Sequence, residues 1–294
     1  MDNKNCFKMP IENDLETYPF EMDHLPDYFK EKCTAELKEN LIARTEGLKE
    51  LKELVKSHKL LRDINFVDDF LVQYLRNRKY DVHKAFQHVI TYVNYVNNYS
   101  YMFKRVDVDK YYSIPYELFF TPLPNRCQDG CTIIYYEFGK WDPELCPVEE
   151  FKPLSTALYC QAIRDPMTQI NGYKIIFDFT DTTFKQFKCF TPQNLYLYYK
   201  GVLDALPGRM KQIILIDNSF LSKIAFTIFV GFATEKVKQR IVVKKYSKEL
   251  VDILPASCLP VHCGGTLKEY YMKEWWSKAA ESMDKPTYSQ PNYY

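Results

Sequence analysis

The residue types that most often carry catalysis or bind metals are dispersed along this chain of 294 residues. The five histidines are His24, His58, His83, His88 and His262, and the closest two lie five residues apart. Residues at that spacing share a helix face poorly, so one metal ion would not find both as ligands. No G-x-S-x-G, G-x-x-x-x-G-K, G-x-G-x-x-G or H-E-x-x-H motif is present either. We therefore expect a protein that is not an enzyme, with no metal and no cofactor.

Two carboxylates, Asp178 and Asp181, follow an apolar segment that is typical of a β-strand. Proteins of the α/β class often place functional groups at the ends of strands. No nucleophile or base accompanies these two carboxylates in the sequence. We therefore favour a structural role for them, in which they cap the turn that follows the strand.

Basic side chains recur every four residues at Lys236, Arg240, Lys244 and Lys248. The segment from Glu235 to Tyr246 is predicted to be a helix, on which this spacing forms one basic stripe. Such a stripe could hold anionic head groups, since each cation near a membrane surface contributes about 1 kcal/mol. A solvated charged face is the alternative for the outer members of the stripe.

Aromatic residues are unusually frequent, with 24 tyrosines and 20 phenylalanines. Rings bury large areas with few rotatable bonds, so part of this excess could line a wide apolar cavity. Ordinary core packing explains any single ring equally well. The segment Phe226–Val230 is apolar nearly all round, which a surface helix avoids unless it covers something hydrophobic.

Periodicity divides the chain into a helical part and a part in which strands and helices alternate. Apolar residues at helical spacing follow Thr34 as far as Val55, and further helices are predicted to begin at Asp68 and Asp81. The predicted strands are 131–138, 173–179 and 212–216, and the helices between and after them are 148–163, 192–206 and 222–230. Strands separated by such helices predict an α/β fold with a largely parallel sheet.

Four regions follow from this pattern. They are an extended arm (1–30), a helical domain (31–103), an α/β domain (104–280) and a flexible tail (281–294).

Bulk composition narrows the class of protein further. Lys and Arg total 39 against 38 Asp and Glu, which argues against a protein that coats nucleic acid. The first 25 residues contain no apolar run, and no segment reaches the roughly 20 apolar residues of a membrane span. The nine cysteines form no C-x-x-C pair, which is typical of reduced thiols. We expect a cytoplasmic monomer.

Four sets of residues resemble the CRAL-TRIO family of lipid carriers, and the likeness extends from about residue 35 to about 275. FLVQYLRNRKYDVHKAF (70–86) is similar to the family's N-terminal helical signature, and FGKWDP (138–143) is similar to the segment after its first strand. GYKIIFDF (172–179) matches the central strand. The closing half is matched by LPGRMKQIILID (206–217), ATEKVKQRI (233–241) and LPVHCGG (259–265).

The sequence departs from the family's pattern at two places. Relatives usually have Lys-Pro-Phe where this chain has Gly231-Phe232-Ala233, just before the basic segment. Many have Gly where this chain has Asp181. The first departure bears on the stiffness of the helix that precedes it, and the second on a turn.

The resemblance implies that the sheet forms the floor of an apolar pocket and that a gate helix around Phe229 closes it. Strand alternation places the floor candidates on common faces, and two helices supply the walls. The pocket candidates are Tyr136, Phe138, Ser155, Leu158, Tyr159, Tyr173, Ile175, Phe177, Val202, Leu206, Ile213, Leu215, Phe226, Phe229 and Val230. The resemblance also implies a phosphoinositide site formed by Arg78, Arg209, Lys211, Lys236 and Arg240.

The likeness is greatest to members that carry tocopherol or retinaldehyde. It implies a carrier of one small hydrophobic ligand, such as tocopherol, a retinoid or a similar isoprenoid, which is exchanged at membranes that contain phosphoinositides. A phospholipid or phosphoinositide exchanger is the first alternative, and Tyr159 and Tyr173 could then hydrogen-bond a polar group of the lipid. A docking protein that is regulated by a lipid is the second.

Overall fold

The structure, a computed structural model, describes residues 24–105, 107, 110, 119–216, 220–282 and 287–289. Most of the predicted arm, most of the predicted tail and Asp217 lie outside the described residues. Within the described part, helices occupy the N-terminal region and strands alternate with helices after residue 119. This arrangement confirms the predicted α/β class with a helical module at the N-terminus.

Two helices, α1 (Asp27–Leu37) and α2 (Leu41–Ser57), replace the single amphipathic helix that the sequence predicts here. Lys38 ends α1 in the left-handed conformation, with φ of 63°. The side chain of Asn40 caps α2 by accepting a hydrogen bond of 2.8 Å from the backbone N–H three residues later. The prediction was wrong because apolar spacing continues across this junction, whereas a helix cap is a local polar interaction.

Helix α1 packs on the α/β part of the molecule, although it begins inside the predicted extended arm. Tyr28 and Phe29 are buried together with Met167 and Ile170. The Tyr28 hydroxyl donates a hydrogen bond of 3.2 Å to the backbone oxygen of Asp129. Residues from 27 onward therefore contribute to the core.

Helices α3 (Asp68–Asn77) and α4 (Val82–Asn98) begin where the sequence predicts. Asp68 and Asp69 lie in the first turn of α3, where carboxylates oppose the helix dipole favourably. Asp81 caps α4 and accepts a hydrogen bond of 3.1 Å from the backbone N–H of Lys84. Helices α2, α3 and α4 pack on one another through the buried residues Leu51, Phe70, Tyr74, Val89 and Tyr92.

In the described part of the chain, five strands form one sheet in the order β1-β2-β3-β4-β5. The strands are β1 (Phe120–Pro122), β2 (Thr132–Glu137), β3 (Tyr173–Asp178), β4 (Met210–Ile216) and β5 (Ile241–Lys244). Strands β2 to β5 are parallel, and β1 pairs antiparallel with β2. The largely parallel sheet is thus confirmed, with two edge strands that the sequence pattern did not predict.

The helices of the α/β part follow the predicted order. They are α5 (Val148–Ala162), α6 (Pro166–Asn171), α7 (Phe184–Phe187), α8 (Pro192–Tyr198), α9 (Phe220–Phe232), α10 (Glu235–Lys238) and α11 (Lys273–Ser282). Helix α8 continues directly as a π-helix, Tyr199–Ala205. Short 3-10 helices occupy Ser100–Phe103, Phe138–Lys140, Ser247–Asp252, Ala256–Cys258, Val261–Cys263 and Thr287–Ser289.

The predicted basic helix from Glu235 to Tyr246 is wrong. Only the short α10 is helical, and the chain then enters β5. Residues 241–243 are Ile-Val-Val, whose β-branched side chains favour a strand, and the β4 backbone offers them a parallel partner. The basic residues at intervals of four therefore do not share one helix face.

The two faces of the sheet meet different surroundings. One face packs directly against the C-terminal segment, in a cluster formed by Ile133, Tyr135, Ile176, Ile214, Leu250, Leu254 and Leu259. The other face carries Tyr136, Phe177 and Leu215 and belongs to the larger core beneath α5, α8 and α9. This second face is the one on which the candidate site lies.

Candidate ligand-binding site

An apolar cavity lies between the second face of the sheet and helices α5, α8 and α9, and its empty space, counted out to the open solvent at its mouth, is about 930 Å³. Its floor is a row of side chains at matching positions of three strands, because Tyr136 pairs in register with Phe177, and Phe177 with Leu215. The Tyr136 and Phe177 rings lie 5.2 Å apart. Parallel pairing thus converts one alternation pattern, repeated in three strands, into a continuous apolar surface.

Nine of the predicted pocket residues lie at the cavity wall. They are Tyr136, Phe138, Ser155, Phe177, Val202, Ile213, Leu215, Phe226 and Phe229. They come from β2, β3, β4, α5, the π-helix and α9, except that Phe138, which the sequence pattern placed in the first strand, lies in the 3-10 helix directly after β2.

The other six predicted pocket residues do not reach the wall. Leu158, Tyr159, Tyr173, Ile175 and Leu206 are buried in the surrounding core, and Val230 is half-buried in α9. Alternation identifies the face that a side chain shares, but not how far along the strand or helix the empty space extends. Tyr173 and Ile175 are on the correct face of β3 and lie earlier in the strand than Phe177.

The prediction missed most of the residues at the rim and the far wall. These are Met102, Trp141, Val148, Phe151, Lys152, Thr156, Phe179, Cys189, Phe190, Asn194, Leu195, Leu197, Tyr198, Gly201 and Ala225. Phe179 follows Phe177 at strand spacing, so the alternation that identified Phe177 could have found it. Phe190 lies between α7 and α8, where no periodic signal exists.

Hydroxyl groups lie at the inner wall and directly behind it. The Tyr136 and Ser155 hydroxyl oxygens lie 2.9 Å apart, and those of Tyr159 and Tyr198 lie 2.5 Å apart. Burial raises the pKa of Tyr136 to about 12 and raises the pKa values of Tyr159 and Tyr198 well above the ordinary tyrosine range. All these groups are neutral at physiological pH, and each can donate or accept a hydrogen bond.

A second polar position on the wall holds Lys152 and Asn194. The Lys152 ammonium donates to the side-chain oxygen of Asn194 over 3.3 Å and lies 5.6 Å from the centre of the Tyr101 ring. The Asn194 amide donates in turn to the backbone oxygen of Cys189. Both residues contact the cavity, so among the described lining residues one cation borders a largely apolar space.

Helix α9 covers the cavity with Ala225, Phe226 and Phe229. The Phe229 ring lies 6.2 Å from that of Tyr199 in the π-helix. Gly231 lies in the last turn of α9, and a Cβ atom at this position would meet no heavy atom within 4 Å. The cover is thus apolar toward the cavity, and its backbone at Gly231 borders open space.

The outer surface near α9 also exposes large apolar side chains. Phe220 and Ile224 of α9 are 76% and 36% exposed, and Phe184 of the adjacent α7 is 67% exposed. Three such residues on two contacting helices form an apolar surface beside the cover, which we call the apolar rim.

Basic side chains from distant parts of the chain meet at the amino ends of β4 and β5. Burial, together with the charges of Arg240, Arg78, Lys79 and Arg209, lowers the pKa of Lys236. Arg240 has its pKa lowered by burial and by Arg209. Mutual repulsion of this kind marks cations that are held close together. We call Arg78, Lys79, Arg209, Lys236 and Arg240 the basic cluster.

All five predicted phosphoinositide-site residues lie in or beside the basic cluster, and Lys79 is an additional member. Lys211 borders the cluster, and the nearby charge of Arg209, together with burial, lowers the pKa of Lys211. Glu36 of α1 lies 3.3 Å from the Arg209 guanidinium and 3.8 Å from the Lys211 ammonium. Within the described part of the chain, no carboxylate is within 4.0 Å of the Lys236 or Arg240 nitrogens.

The outer members of the predicted basic stripe do not join the cluster through a common helix. Lys244 ends β5 and forms an ion pair of 3.0 Å with Asp252. Lys248 lies in the following 3-10 helix. For Lys244 the structure therefore favours a paired surface charge over a head-group ligand.

The family model described as CRAL/TRIO domain matches residues 117–265, just over half of the chain. The chain belongs to the CRAL/TRIO family. CRAL/TRIO proteins bind and transfer hydrophobic lipids, and this coarse function holds for the chain as a member of the family. The matched residues include all five strands and the cover of the cavity.

Relatives within the CRAL/TRIO family extend the likeness beyond the matched domain. Clavesin-1 of Xenopus laevis is 27% identical over 271 residues, which cover 90% of this chain and 79% of the relative. Clavesin-2 of Homo sapiens is 26% identical over 249 residues, which cover 83% of this chain and 76% of the relative. The crystal structure of Sfh5 aligns with a TM-score of 0.48 and 11% identity, over 90% of this chain and 99% of that one.

One departure from the CRAL/TRIO pattern has a local structural explanation. Asp181, at a position where many members have Gly, adopts φ of 60°. Aspartate is one of the few residues with a side chain that enter this left-handed region at modest cost. Asp178 accepts a hydrogen bond of 2.8 Å from the backbone N–H of Thr180, which is the turn-capping role that the sequence favours.

A polar network lies on the face of the sheet opposite the cavity. The Tyr135 hydroxyl lies 3.0 Å from Asp178 Oδ2, 3.0 Å from His262 Nε2 and 3.3 Å from Cys263 Sγ. His262 also pairs with Glu137 over 3.2 Å. Tyr135 and Cys263 are almost fully buried, so this network joins the C-terminal segment to β2 and β3 from within the core.

Among the described residues, no helix is long and apolar enough to cross a membrane. No group of three or more His, Cys, Asp or Glu side chains is arranged there to hold a metal ion.

Proposed function

We propose that this protein is a non-catalytic carrier, which holds one hydrophobic molecule in the cavity beneath α9 and exchanges it at membranes that contain phosphoinositides. The observation that carries the proposal is the cavity between the sheet and α9, which has an apolar floor, a few hydroxyl groups and an apolar helical cover. Binding sites for small molecules combine apolar walls with a few placed polar groups.

The polar groups of the wall favour a ligand with a single small polar end. One hydroxyl of the Tyr136–Ser155 pair donates to the other, so the pair retains one proton that a ligand hydroxyl or carbonyl oxygen can accept, and both groups are neutral. The rest of the wall suits a hydrocarbon chain or ring system. A tocopherol, a retinoid or a similar isoprenoid has this distribution of polar and apolar atoms.

A phospholipid or phosphoinositide exchanger is the second candidate, and Lys152 is the observation that favours it. Its ammonium borders the cavity, and a charged phosphate would be a suitable partner for it. The inner wall carries only neutral hydroxyl groups. A phospholipid would therefore have to place its head group at the Lys152 side.

Release must depend on the membrane, because water cannot compete for such a ligand. Burial of about 20 CH₂ groups stabilises the bound state by about 16 kcal/mol, at about 0.8 kcal/mol each. A membrane offers an equally apolar solvent once the cover opens. The apolar rim would enter the bilayer surface while the basic cluster holds an anionic phosphoinositide head group.

Analysis of the ligand that accompanies the purified full chain tests the proposal. Organic extracts of the protein, analysed by mass spectrometry, should contain one neutral hydrophobic compound in near-stoichiometric amount relative to the protein. A phospholipid in the extract would favour the second candidate. Empty protein that also takes up no tocopherol, retinoid or phospholipid from detergent would contradict the carrier function.

A further inference from the structure

The far wall of the cavity is held from outside by the N-terminal helical module. Two residues of α4 bond to backbone carbonyl groups of the wall, which is α8 continued by its π-helix. The Tyr95 hydroxyl donates to the oxygen of Leu197 over 3.2 Å, and His88 Nε2 lies 2.9 Å from the oxygen of Asp204. A Cβ atom on Gly201 would lie only 2.6 Å from the Tyr95 hydroxyl, so module and wall are in close contact.

The two ring nitrogens of His88 bond to two different parts of the molecule. The Arg78 Nε–H donates to His88 Nδ1 over 3.2 Å, so Nδ1 accepts and Nε2 carries the proton that is donated to Asp204. Burial and the charge of Arg78 lower the pKa of His88 to about 3, which keeps the ring in this neutral form. His88 is 4% exposed, so water does not replace either bond.

Arg78, a member of the basic cluster, also contacts the buried side chain of His88. The Arg78 side chain is exposed, and its charge contributes to the electrostatic repulsion that lowers the pKa of Lys236 in α10, the short helix after the cover. Its Nε atom bonds to His88 in the interior. A chain of hydrogen bonds therefore leads from the basic cluster through Arg78 and His88 to the wall of the cavity.

We propose that His88 is a positioning residue that couples anion binding at the basic cluster to the shape of the lipid cavity. The inference rests on the proposed function, since it takes the cluster to be the phosphoinositide site. An anionic phosphate on Arg78 attracts the guanidinium outward and competes with His88 for its orientation. The bond from His88 to Asp204 then transmits the change to the π-helix.

The π-helix gives this coupling an element that can adopt two states. A π-helix holds more residues per turn than an α-helix and is rare, short and often found at functional sites. A shift of Tyr199–Ala205 to α-helical bonding would rotate Gly201 and Val202, both of which line the cavity. Loss of the His88 bond to Asp204 removes one of the contacts that hold the π form.

Soluble inositol trisphosphate provides a direct test with the isotopically labelled full chain. Titration should shift the backbone amide resonances of Lys79, Lys236 and Arg240, and with the same concentration dependence those of Gly201 and Val202. His88→Asn is the deciding variant, because its short amide can still accept from Arg78 but cannot reach Asp204. It should keep the shifts at the cluster, with affinity within about twofold, and lose those at the π-helix.

Two further variants complete the test. His83 lies on the exposed face of α4, and the variant His83→Asn should behave as the wild type. His88→Gln, which can still reach Asp204, serves if the asparagine variant does not fold, and it should weaken the shifts at the π-helix. With vesicles that contain phosphatidylinositol bisphosphate, release of bound lipid should be about fivefold or more faster than without it in the wild type, and not in His88→Asn.

The outcomes separate this inference from the proposed function. Shifts confined to the cluster in the wild type, or shifts at Gly201 and Val202 that persist unchanged in both His88 variants, would overturn the coupling while leaving the anion site intact. An absence of saturable shifts at the cluster would remove the anion site, and the coupling with it.

Discussion

Tyr136 of β2 and Ser155 of α5 meet at the cavity wall through their hydroxyl oxygens, 2.9 Å apart. The contact joins the floor of the cavity to one of its walls by a neutral polar pair. A buried hydroxyl pair is costly unless each member has a partner, and a ligand oxygen can complete the remaining hydrogen-bonding capacity. The pair is therefore the point at which the chemistry of the ligand should matter most.

Tyr136→Phe should reduce affinity for a ligand that carries a hydroxyl group and should not affect its deoxy analogue. Loss of one neutral hydrogen bond costs about 1 kcal/mol, or about fivefold in Kd. Fluorescence titration with both ligands measures the difference. Tyr135→Phe, on the opposite face of the sheet, is the matched control and should leave both affinities unchanged. Equal losses for the two ligands in Tyr136→Phe would place the polar end elsewhere.

Ala225→Phe should fill part of the cavity from the cover and exclude ligand. Ala225 faces the empty space in α9, so the added ring has room that ligand would otherwise occupy. We expect at least about a tenfold loss of affinity with little loss of folding stability, since filling a cavity recovers apolar burial. Thr227→Phe on the exposed face of the same helix should bind normally. Normal uptake by Ala225→Phe would mean that ligand occupies another site.

Lys236→Glu combined with Arg240→Glu should slow lipid transfer to phosphoinositide-containing vesicles and leave ligand binding intact. Each surface cation contributes about 1 kcal/mol to membrane attraction, so reversal of two charges should reduce vesicle binding by about tenfold or more. Vesicle sedimentation and a fluorescent transfer assay measure the two effects. Lys56→Glu with Lys59→Glu, exposed residues at the end of α2 and beyond it, provides the same charge change away from the cluster. Transfer rates that match between the two pairs would exclude the cluster from the mechanism.

Gly231→Ala should stabilise α9 and slow the exchange of ligand. A Cβ atom at this position meets open space, and alanine in a helix is favoured over glycine by about 0.5–1 kcal/mol. If the cover opens by loosening its last turn, transfer should slow by a few fold while equilibrium affinity stays within about twofold. Thr227→Ala also raises helix propensity but leaves Gly231 in place, so it is the control. If Gly231→Ala transfers ligand as fast as the wild type or faster, bending at this residue is excluded.

Stability should fall as the pH decreases below the ordinary range of histidine, because His88 stays neutral in the folded protein. Its pKa is lowered to about 3 by burial and by Arg78, against the opposing effect of Asp204, whereas the unfolded chain has the ordinary value of 6.5. The unfolded state alone gains a proton between these values, so the stability present above pH 6.5 is lost as the pH falls toward 3. Urea unfolding should show a loss of ~1–2 kcal/mol by about pH 5.

The variant His88→Gln isolates this contribution, since other groups also titrate in the acid range. Its stability should decline less steeply than that of the wild type between pH 6.5 and about 5. Parallel pH profiles for the two proteins would show that His88 has the same protonation in the folded and in the unfolded protein.

Sequence patterns predicted those structural features that are determined by residues close together in the chain. The alternation in β2, β3 and β4 placed Tyr136, Phe177 and Leu215 on one face, and parallel pairing brought them into one row. The carboxylates in the first turn of α3 and the Asp81 cap of α4 were equally visible in the sequence. These features depend on residues a few positions apart, which is the range that periodicity covers.

The parts that depend on distant partners were not predictable in the same way. β5 forms because β4 offers it a backbone partner, although its basic residues have helical spacing. The basic cluster unites Arg78 and Arg209, which the sequence places far apart, and only the family resemblance indicated the pair. Lys79 was missed because its position follows from the turn after α3, where it adopts φ of 52°.

The edges of the sheet have a consequence for the protein in its empty form. Unpaired strand edges invite association with other chains, and an open apolar interior would add to this hazard. Here β1 is three residues long and ends in Pro122, which has no N–H to donate, and β5 is four residues long and ends in Lys244. Short edge strands of this kind, one ending in a proline and the other in a charged residue, oppose fibril growth by the protein without bound ligand.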